Sequence, residues 1–316
     1  MIADVFPVDE RTFCVDGFDM GTAKRTGSYV LDERPHGVAL IETGPSISIP
    51  YIKHALKSKG ITPDEIKYII VTHIHLDHAG GAGLLLKECP KAKVIVHPAG
   101  KRHLENPERL IQGAKAIYGA QFNDFFEPVL PVPGPALMEM KNKSTLTLSP
   151  GRKLTFYHTP GHARHHFSIM DSRTNTFFTG DTLGIRYPQL EESGVQLFLP
   201  STSPNQFDPD AMLNSVSLAE NLQPDRIAFG HFFISEEPAK VYRDINKWLP
   251  VFIEKGKYVL KKNQDWNALK EILLVEVKRE LDEFGIPEDD PVYEVIQLDL
   301  TVSSLGIVDY LTKQKV

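Results

Sequence analysis

The sequence predicts an α/β (α+β) protein in which two blocks of short strands precede a helical C-terminal region. Runs of β-branched and aromatic residues, broken by Gly, Asp and Pro, recur in two parts of the 316-residue chain. Helix start and stop signals lie between some of these runs. From about residue 235, apolar residues recur instead at spacings of three and four, which predicts a helical extension over about 235–316.

The first strand block contains strands separated by short helices. The strand segments are TFCVDGF, GSYVLD, GVALIETG, IKYIIVTH and AKVIVHP, and the last two are apolar enough to be buried on both faces. A helix is predicted for SIPYIKHALKSKG, which opens with Ser-Ile-Pro and closes with Gly, and a shorter one for GAGLLLKECP.

A helical excursion over about 100–143 separates the two blocks. Its first part, NPERLIQGAKAIYGAQFNDFF, has apolar residues at helical spacing. The second part, EPVLPVPGPALMEM, holds four prolines, so we expect it to form no regular element of any length. The second block then follows with STLTLSP, KLTFYHT, HFSIMD, TFFTGD and, later, DRIAFGH. We predict a single domain over 1–316.

The composition is that of an ordinary globular protein, with 41% apolar and 24% charged residues. The net charge of −6 argues against a nucleic-acid surface, which usually has a basic excess, and it is compatible with a small-molecule substrate. The two cysteines, Cys14 and Cys89, are far apart in the sequence. We therefore expect neither a disulfide framework nor a thiolate metal site, and a reducing compartment.

The N-terminal segment, MIADVFPVDERTF, has neither the basic region nor the apolar stretch of a signal peptide. No apolar run approaches the roughly 20 residues needed to cross a bilayer. We expect a cytoplasmic protein with no membrane or nucleic-acid partner, and the question of a homo-oligomer stays open.

A cluster of metal-ligand residue types occurs in VTHIHLDHAGG, residues 71–81. His73 and His75 are two apart at a strand end, so their side chains lie on one face while Ile74 points to the core. Asp77 and His78 follow in the turn. Imidazole and carboxylate donors suit zinc, iron(II) or manganese(II), so this segment is a candidate metal site.

The motif His-x-His-x-Asp-His resembles the signature of the metallo-β-lactamase superfamily. Three later segments match the same family in the same order: TPGH ends at His162, FTGD at Asp181 and IAFGH at His231. Each stands at a predicted strand end, and the resemblance covers roughly residues 11–235. Together with the strand blocks it implies an αββα sandwich, the metallo-β-lactamase fold, with the metal site at one end.

The resemblance implies seven metal ligands, namely His73, His75, Asp77, His78, His162, Asp181 and His231. His73, His75 and His162 would hold one ion and the others a second, with Asp181 bridging both. The implied cofactor is two divalent ions, Zn²⁺ above all, with Fe²⁺ or Mn²⁺ open. A hydroxide between the ions would be the nucleophile, and Asp77 would transfer protons as general base and then acid.

Three further histidines surround the TPGH segment. His166 matches a second histidine of the family pattern, and we expect it to orient or support the site without binding metal. His165 stands where many members have Gly, and His158 precedes the loop on its strand. For His158 and His165 we predict packing or surface roles.

Several chemistries occur on this fold, so the fold alone does not indicate the function, and the branch that the residues resemble is the better guide. The complete ligand set favours an enzyme, and we predict a metallo-hydrolase of the glyoxalase II or lactonase-like branch, acting on a small ester, thioester or lactone. The alternatives are a phosphodiesterase or nuclease, which the acidic charge disfavours, and a mononuclear-iron persulfide dioxygenase.

Candidate substrate contacts are less specific than the metal ligands. Lactonases similar to this chain carry a tyrosine three residues after the bridging aspartate, where Gly184 stands here, and Tyr187 or Arg186 is either its substitute or an ordinary loop residue. The helical tail contains residues that could bind glutathione, or that form a solvated helix face: Lys255, Lys257 and Tyr258.

The aromatic part of the excursion is open to two interpretations. Phe122, Phe125 and Phe126 either roof an apolar substrate pocket or pack as the core of an inserted helix.

Overall fold

The computed structural model describes residues 4–314 and divides the chain into two compact units. The first unit contains the residues up to 158 together with 165–180 and 224–236. The second contains 159–164, 181–223 and the residues from 237 onward. The single domain over 1–316 stays a prediction, and its terminal residues 1–3 and 315–316 lie outside the described part.

The first sheet of the first unit has seven strands that lie side by side in chain order. They are β1 (Val5–Asp9), β2 (Thr12–Asp16), β3 (Gly27–Asp32), β4 (Val38–Ile41), β5 (Ile66–Ile70), β6 (Lys93–Val96) and β7 (Leu137–Glu139). β1 to β4 pair antiparallel and β4 to β7 pair parallel, so the sheet is mixed. Its connections carry the helices α1 (Ile49–Ser58), α2 (Leu76–Ala79), α3 (Ala82–Glu88), α4 (Lys101–Glu105), α5 (Glu108–Tyr118) and α6 (Phe122–Phe126).

The second sheet of this unit has six strands and is also mixed. Its strands are β8 (Thr145–Ser149), β9 (Arg152–His158), β10 (Phe167–Asp171), β11 (Thr176–Gly180), β14 (Arg226–Phe229) and β15 (Ile234–Ser235). β11 pairs parallel with β14, and the other neighbours pair antiparallel.

The central strands β5 and β6 are buried on both faces, as their apolar sequences predict. Ile69 and Val94 belong to a core shared with α1 and α3, whereas Ile70 and Ile95 belong to a core shared with the second sheet. Alternate residues of a strand point to opposite faces, so one strand serves both cores. The expected sandwich of two mixed sheets, covered by helices on the outside of the first, follows from these two cores.

A buried charged cluster also joins the two sheets. Arg152, at the start of β9, is 1% exposed. Its guanidinium donates to Asp171 on β10 at 2.6 Å, to Glu33 beyond β3 at 3.0 Å and to Thr12 on β2 at 2.8 Å. Both acidic partners are buried as well, so their charges are compensated chiefly by this guanidinium.

The second unit is built mainly from helices around its own apolar core. Its elements are a two-stranded sheet of β12 (Ile185–Arg186) and β13 (Phe198–Leu199), and the helices α7 (Pro209–Leu222), α8 (Pro238–Lys261), α9 (Trp266–Asp282) and α10 (Val292–Lys313). Within residues 4–314, α10 is the one helix that is long and apolar enough to cross a membrane, by its length and composition only. A core helix passes the same test, and α10 packs in this core.

The sequence prediction missed the short strands β1, β12, β13 and β15 and the 14-residue helix α7. Asp77 and His78, expected in a turn, lie on the short helix α2. The proline-rich stretch, for which no regular element was expected, contains the three-residue strand β7. That strand begins after the last of the four prolines, so it can pair with β6 at the sheet edge.

We expect His97 to make the stability of the fold depend on pH. Its ring lies 4.5 Å from that of His158, and its Nδ1 accepts a hydrogen bond from the Ala99 backbone N–H at 3.1 Å. Burial, and secondarily His158, lowers the pKa of His97 from 6.5 to about 4. The unfolded chain therefore binds a proton before the folded chain does, and stability should fall as pH drops from 6.5 to about 4.

The matched variant is His97→Asn, which keeps an acceptor near the Nδ1 position but does not titrate. We expect its urea midpoint to fall less than that of the unmutated protein between pH 7.5 and pH 5, both proteins being free of metal. An equal fall in the two proteins would show that His97 does not contribute.

Candidate metal centre

Two predicted ligands lie in the loop between β5 and α2. The His73 Nε2 and His75 Nδ1 atoms are 3.0 Å apart, and the Thr72 hydroxyl lies 3.1 Å from His73 Nδ1. The neighbouring Ile74 is 1% exposed and belongs to the core against α1 and α3. The alternation expected at a strand end is therefore present, with both imidazoles on one side and the apolar side chain on the other.

Three further predicted ligands form a compact group in the same unit. One ligand atom each from Asp77, His78 and His231 lies within 4.8 Å of the other two. The Asp77 Oδ2 atom is 3.6 Å from Nε2 of both histidines. The His73 and His78 ring centroids are 4.2 Å apart, so this group is continuous with the first pair.

Glu42 supports this group and was not predicted from the sequence. Its Oε1 accepts a hydrogen bond from the Thr72 backbone N–H at 3.2 Å, and its Oε2 lies 3.7 Å from His78 Nδ1. Glu42 has φ = 68°, a left-handed conformation that is uncommon for a residue with a side chain. The carboxylate thus faces the side of the His78 ring opposite to the Nε2 that approaches Asp77.

Tyr29 supports the segment that carries His231. Its hydroxyl oxygen lies 2.8 Å from the Phe229 carbonyl and 2.7 Å from the Phe233 carbonyl. The Tyr29 side chain is 1% exposed on β3, so this contact pins both ends of the turn around His231 from the opposite sheet. No local sequence pattern connects residues separated by 200 positions.

Asp19 lies near the group formed by Asp77, His78 and His231, with which its charge interacts. It is fully buried, and its Oδ2 is 3.4 Å from Arg25 Nε. Burial raises the pKa of Asp19 to about 6, against the opposing effect of Arg25. This carboxylate was not predicted from the sequence.

The other two predicted ligands, His162 and Asp181, lie together in the second unit. His162 Nε2 is 3.5 Å from Asp181 Oδ2, and both residues are 2% exposed. His162 Nδ1 is 3.0 Å from the Ser201 carbonyl oxygen, and the Ser201 hydroxyl donates to Asp181 Oδ2 at 2.9 Å. A carbonyl only accepts, so Nδ1 carries the hydrogen and Nε2 keeps a lone pair for a metal.

The TPGH turn is held by the start of α7. The Asp208 backbone N–H donates to the Gly161 carbonyl at 2.8 Å, and the Ser215 hydroxyl donates to the Pro160 carbonyl at 2.7 Å. Gly161 has φ = 137°, and a Cβ there would lie 2.4 Å from the Met212 Cα atom. Only glycine meets both conditions, which explains the residue before the ligand.

His165 and His166 pack beside the loop of the first two ligands. The His166 ring centroid is 5.0 Å from that of His73, and the side chain is fully buried. The His165 ring is 5.4 Å from that of His75 and 4% exposed, which fits a packing role rather than a surface one. A Cβ on Gly180, where φ is 49°, would lie 2.6 Å from His166 Nε2, so the absence of a side chain at residue 180 leaves room for the His166 ring.

These donors fit a divalent cation. The His73 and His75 nitrogens face each other, and a hydrogen bond between them needs a proton on one, whereas a single cation satisfies both lone pairs. The Ser201 carbonyl leaves His162 Nε2 as an acceptor. Neutral imidazole and carboxylate oxygen are the donors that zinc, iron(II) and manganese(II) accept.

A family model described as metallo-beta-lactamase superfamily matches residues 22–231, which is more than half of the chain. The chain belongs to the metallo-beta-lactamase superfamily. Likeness to a solved structure agrees: the archaeal superfamily protein ST1585 from Sulfolobus tokodaii aligns with a TM-score of 0.65 and 21% identity, over 95% of this chain and 98% of that one. The predicted metallo-β-lactamase fold with C-terminal helices is confirmed.

Sequence relatives in the superfamily carry several names. The Metallo-beta-lactamase fold-containing protein ST1585 of Sulfurisphaera tokodaii is 28% identical over 53% of this chain and 61% of its own length. A hydroxyacylglutathione hydrolase of Prochlorococcus marinus is 30% identical over 52% of this chain and 54% of its own length. An N-acyl homoserine lactonase of Bacillus sp. is 26% identical over 60% of this chain and 66% of its own length. The matches thus leave a third or more of each relative uncovered.

The candidate substrate residues in the second unit have packed or paired positions. Tyr187 is 2% exposed and belongs to the helical core, and the Arg186 guanidinium pairs with Glu191. On α8, Lys255 pairs with Glu276 of α9 at 2.7 Å, whereas Tyr258 is 52% exposed. A substrate role for these residues stays a prediction.

The aromatic excursion belongs to the first unit and packs on the ligand motif. Phe122 and Phe126 are each 1% exposed and form a cluster with Leu76, the residue between His75 and Asp77. Phe125 is half-buried at the edge of the same cluster. This packing favours the core interpretation of Phe122 and Phe126.

Proposed function

We propose that this superfamily member is a metal-dependent hydrolase that acts on a small ester, thioester or lactone. The convergence of two buried imidazoles and a partly exposed carboxylate, with ligand atoms of His78, His231 and Asp77 within 4.8 Å of one another, is the observation that carries the proposal. We further propose two divalent ions, with zinc as the metal, because histidine nitrogens dominate the predicted ligand set. The buried thiols suit a cytoplasmic location.

When bound, such ions supply a water activated near neutral pH and a Lewis acid for the substrate oxygen. Asp77 is suited to move the proton. Its side chain is 19% exposed, whereas those of His78 and His231 are 1% and 4% exposed. The Asp77 carboxylate therefore reaches both ligands and solvent, so it can accept a proton and pass it to a leaving group.

The net charge and two relatives support the proposed substrate class. The net charge of −6 gives no attraction to a polyanion, which argues against a nucleic-acid substrate. Two relatives bear the names of hydrolases of small thioesters and lactones, a hydroxyacylglutathione hydrolase and an N-acyl homoserine lactonase. A small-molecule substrate is therefore the best-supported choice.

Metal content tests the first half of the proposal. We expect protein prepared without chelator to contain close to two divalent ions per chain by elemental analysis, because seven suitable ligands are available. Asp16→Asn is the control and should keep the same metal content, because Asp16 is not a predicted ligand. Its carboxylate caps a turn by accepting from the Phe18 and Lys24 backbone N–H groups. Less than half an ion per chain, with no gain on incubation with zinc, iron or manganese, would contradict the proposal.

A substrate panel tests the second half. Metal-loaded protein is assayed at neutral pH with aryl esters, S-lactoylglutathione, acyl-homoserine lactones, bis-aryl phosphodiesters, nitrocefin and glutathione persulfide. We expect turnover of an ester, thioester or lactone that is lost in Asp181→Ala, since this carboxylate is a predicted ligand of both ions. Turnover of the phosphodiester alone, or oxygen uptake with persulfide by protein holding one iron, would replace the proposal with the corresponding alternative.

A further inference from the structure

We infer that the C-terminal helix α10 positions two metal ligands, His162 and Asp181, through the loop of residues 200–203. Ser303 and Gly306 of this helix are then positioning residues of the metal site, although neither is a predicted ligand. The inference rests on the proposed metal site, and it assigns a role to the helical extension.

The first link joins the loop to the ligands. The Ser201 carbonyl accepts a hydrogen bond from the His162 Nδ1–H at 3.0 Å, and the Ser201 hydroxyl donates to Asp181 Oδ2 at 2.9 Å. The Ser203 hydroxyl adds a bond to the His162 carbonyl at 3.3 Å. One residue, Ser201, thus orients the imidazole and the carboxylate together, and a shift of its backbone moves both.

The second link joins the loop to α10. The Thr202 hydroxyl donates to the Ser303 carbonyl at 2.7 Å, and the Ser303 hydroxyl lies 3.4 Å from both the Thr202 backbone N and the Pro200 carbonyl. Thr202 is fully buried and Ser303 is 2% exposed, so water does not compete for these bonds. The residues on either side of Ser201 are therefore fixed by a single turn of helix.

Gly306 allows the close approach on which these bonds depend. A Cβ at this position would lie 2.7 Å from the Ser203 backbone N, 2.8 Å from the Ser203 carbonyl carbon and 2.9 Å from Thr202 Oγ1. Two of these three atoms are backbone, so an added methyl group cannot be accommodated by rotation of a side chain. Any larger residue must displace the loop, and with it Ser201.

Gly306→Ala tests the inference, with Gly256→Ala as the matched control. Gly256 lies on α8, and the nearest atoms to a Cβ there are all in side chains: Ile307 Cγ2 at 2.6 Å and Leu311 Cδ1 at 2.9 Å on α10, and Leu269 Cδ2 at 3.7 Å on α9. Both variants crowd the helical core, but only the first reaches the loop. Zn²⁺ affinity is measured by competition with a chromophoric chelator. We expect Gly306→Ala to bind Zn²⁺ about 10–100-fold more weakly than Gly256→Ala, the usual effect of losing a contact behind a ligand.

A second readout does not depend on metal. In metal-free protein labelled with ¹⁵N-histidine, long-range ¹H–¹⁵N correlations report which ring nitrogen of His162 carries the hydrogen. We expect a fixed Nδ1–H form in the unmutated protein and in Gly256→Ala, and a mixture in Gly306→Ala. Ser303→Ala, which removes one hydroxyl and adds no bulk, should shift both readouts in the same direction if Gly306→Ala does not fold.

The outcomes separate the two claims. Unmutated protein that binds no Zn²⁺ but shows the tautomer change in Gly306→Ala would contradict the proposed function and support the positioning role. A Zn²⁺ affinity and a His162 tautomer that are equal in Gly306→Ala, Ser303→Ala and Gly256→Ala would overturn the inference.

Discussion

Replacement of His162 by alanine is expected to remove most of the bound metal and the activity with it. His162 Nδ1 lies 3.0 Å from the Ser201 carbonyl oxygen, and His162 Nε2 lies 3.5 Å from Asp181 Oδ2. Its loss removes a donor and leaves the buried Asp181 without its neighbouring imidazole. Loss of a residue that supports a metal ligand typically lowers metal affinity about 10–100-fold, and we expect a larger fall here. Elemental analysis and turnover, on protein shown to be folded by circular dichroism, measure the effect.

The neighbouring histidines provide the controls. His165→Ala should leave metal content and activity largely intact, because this ring packs against His75 and is not a predicted ligand. His166→Ala should have an intermediate effect and lower metal affinity or activity about 10–100-fold, because its ring lies against that of His73. If His165→Ala proves as damaging as His162→Ala, the assignment of ligands within residues 162–166 is wrong.

Arg152→Met is expected to destabilise the first unit by about 3–5 kcal/mol, because it leaves the buried carboxylates Asp171 and Glu33 without their main compensating charge. Arg152 also connects β2 of one sheet with β9 and β10 of the other, so its loss weakens the contact between sheets. Equilibrium urea unfolding at neutral pH measures the change.

Arg173→Met is the matched control for this effect. The Arg173 guanidinium lies 3.1 Å from the same Glu33 Oε1 atom, but its side chain is 36% exposed. A partly solvated ion pair contributes about 1 kcal/mol or less. Equal losses of stability in the Arg152 and Arg173 variants would show that burial of the guanidinium is not what matters.

The sequence allowed most strands of the two large sheets and the ligand motifs to be predicted, because both are short local patterns. The run IKYIIVTH, for example, contains β5 and, three residues after its end, the first ligand His73. Matching TPGH, FTGD and IAFGH required only order along the chain.

The supporting residues could not be predicted because their contacts join distant parts of the chain. Tyr29 acts on a turn 200 residues away, and Ser303 acts on Thr202 across 101 residues. Glu42 and Ser201 are ordinary polar residues in sequence and become distinctive only when the fold brings their oxygens to an imidazole. The two interpretations of Phe122 and Phe126 also needed the packing against Leu76 to separate them.

The burial of both thiols has a practical consequence for fluorescence work. Cys14 is fully buried and Cys89 is 2% exposed, and burial raises the pKa of the Cys89 thiol to about 11. Maleimide reagents need an accessible thiolate, so neither residue competes for the dye. α5 has no buried residues, so a cysteine introduced there by Ala116→Cys would be labelled with a single dye. The label would lie on the excursion whose Phe126 packs against Leu76. A dye at this position would test whether the proposed cation binding at Asp77 and His78 changes the surroundings of the excursion, without an assay substrate.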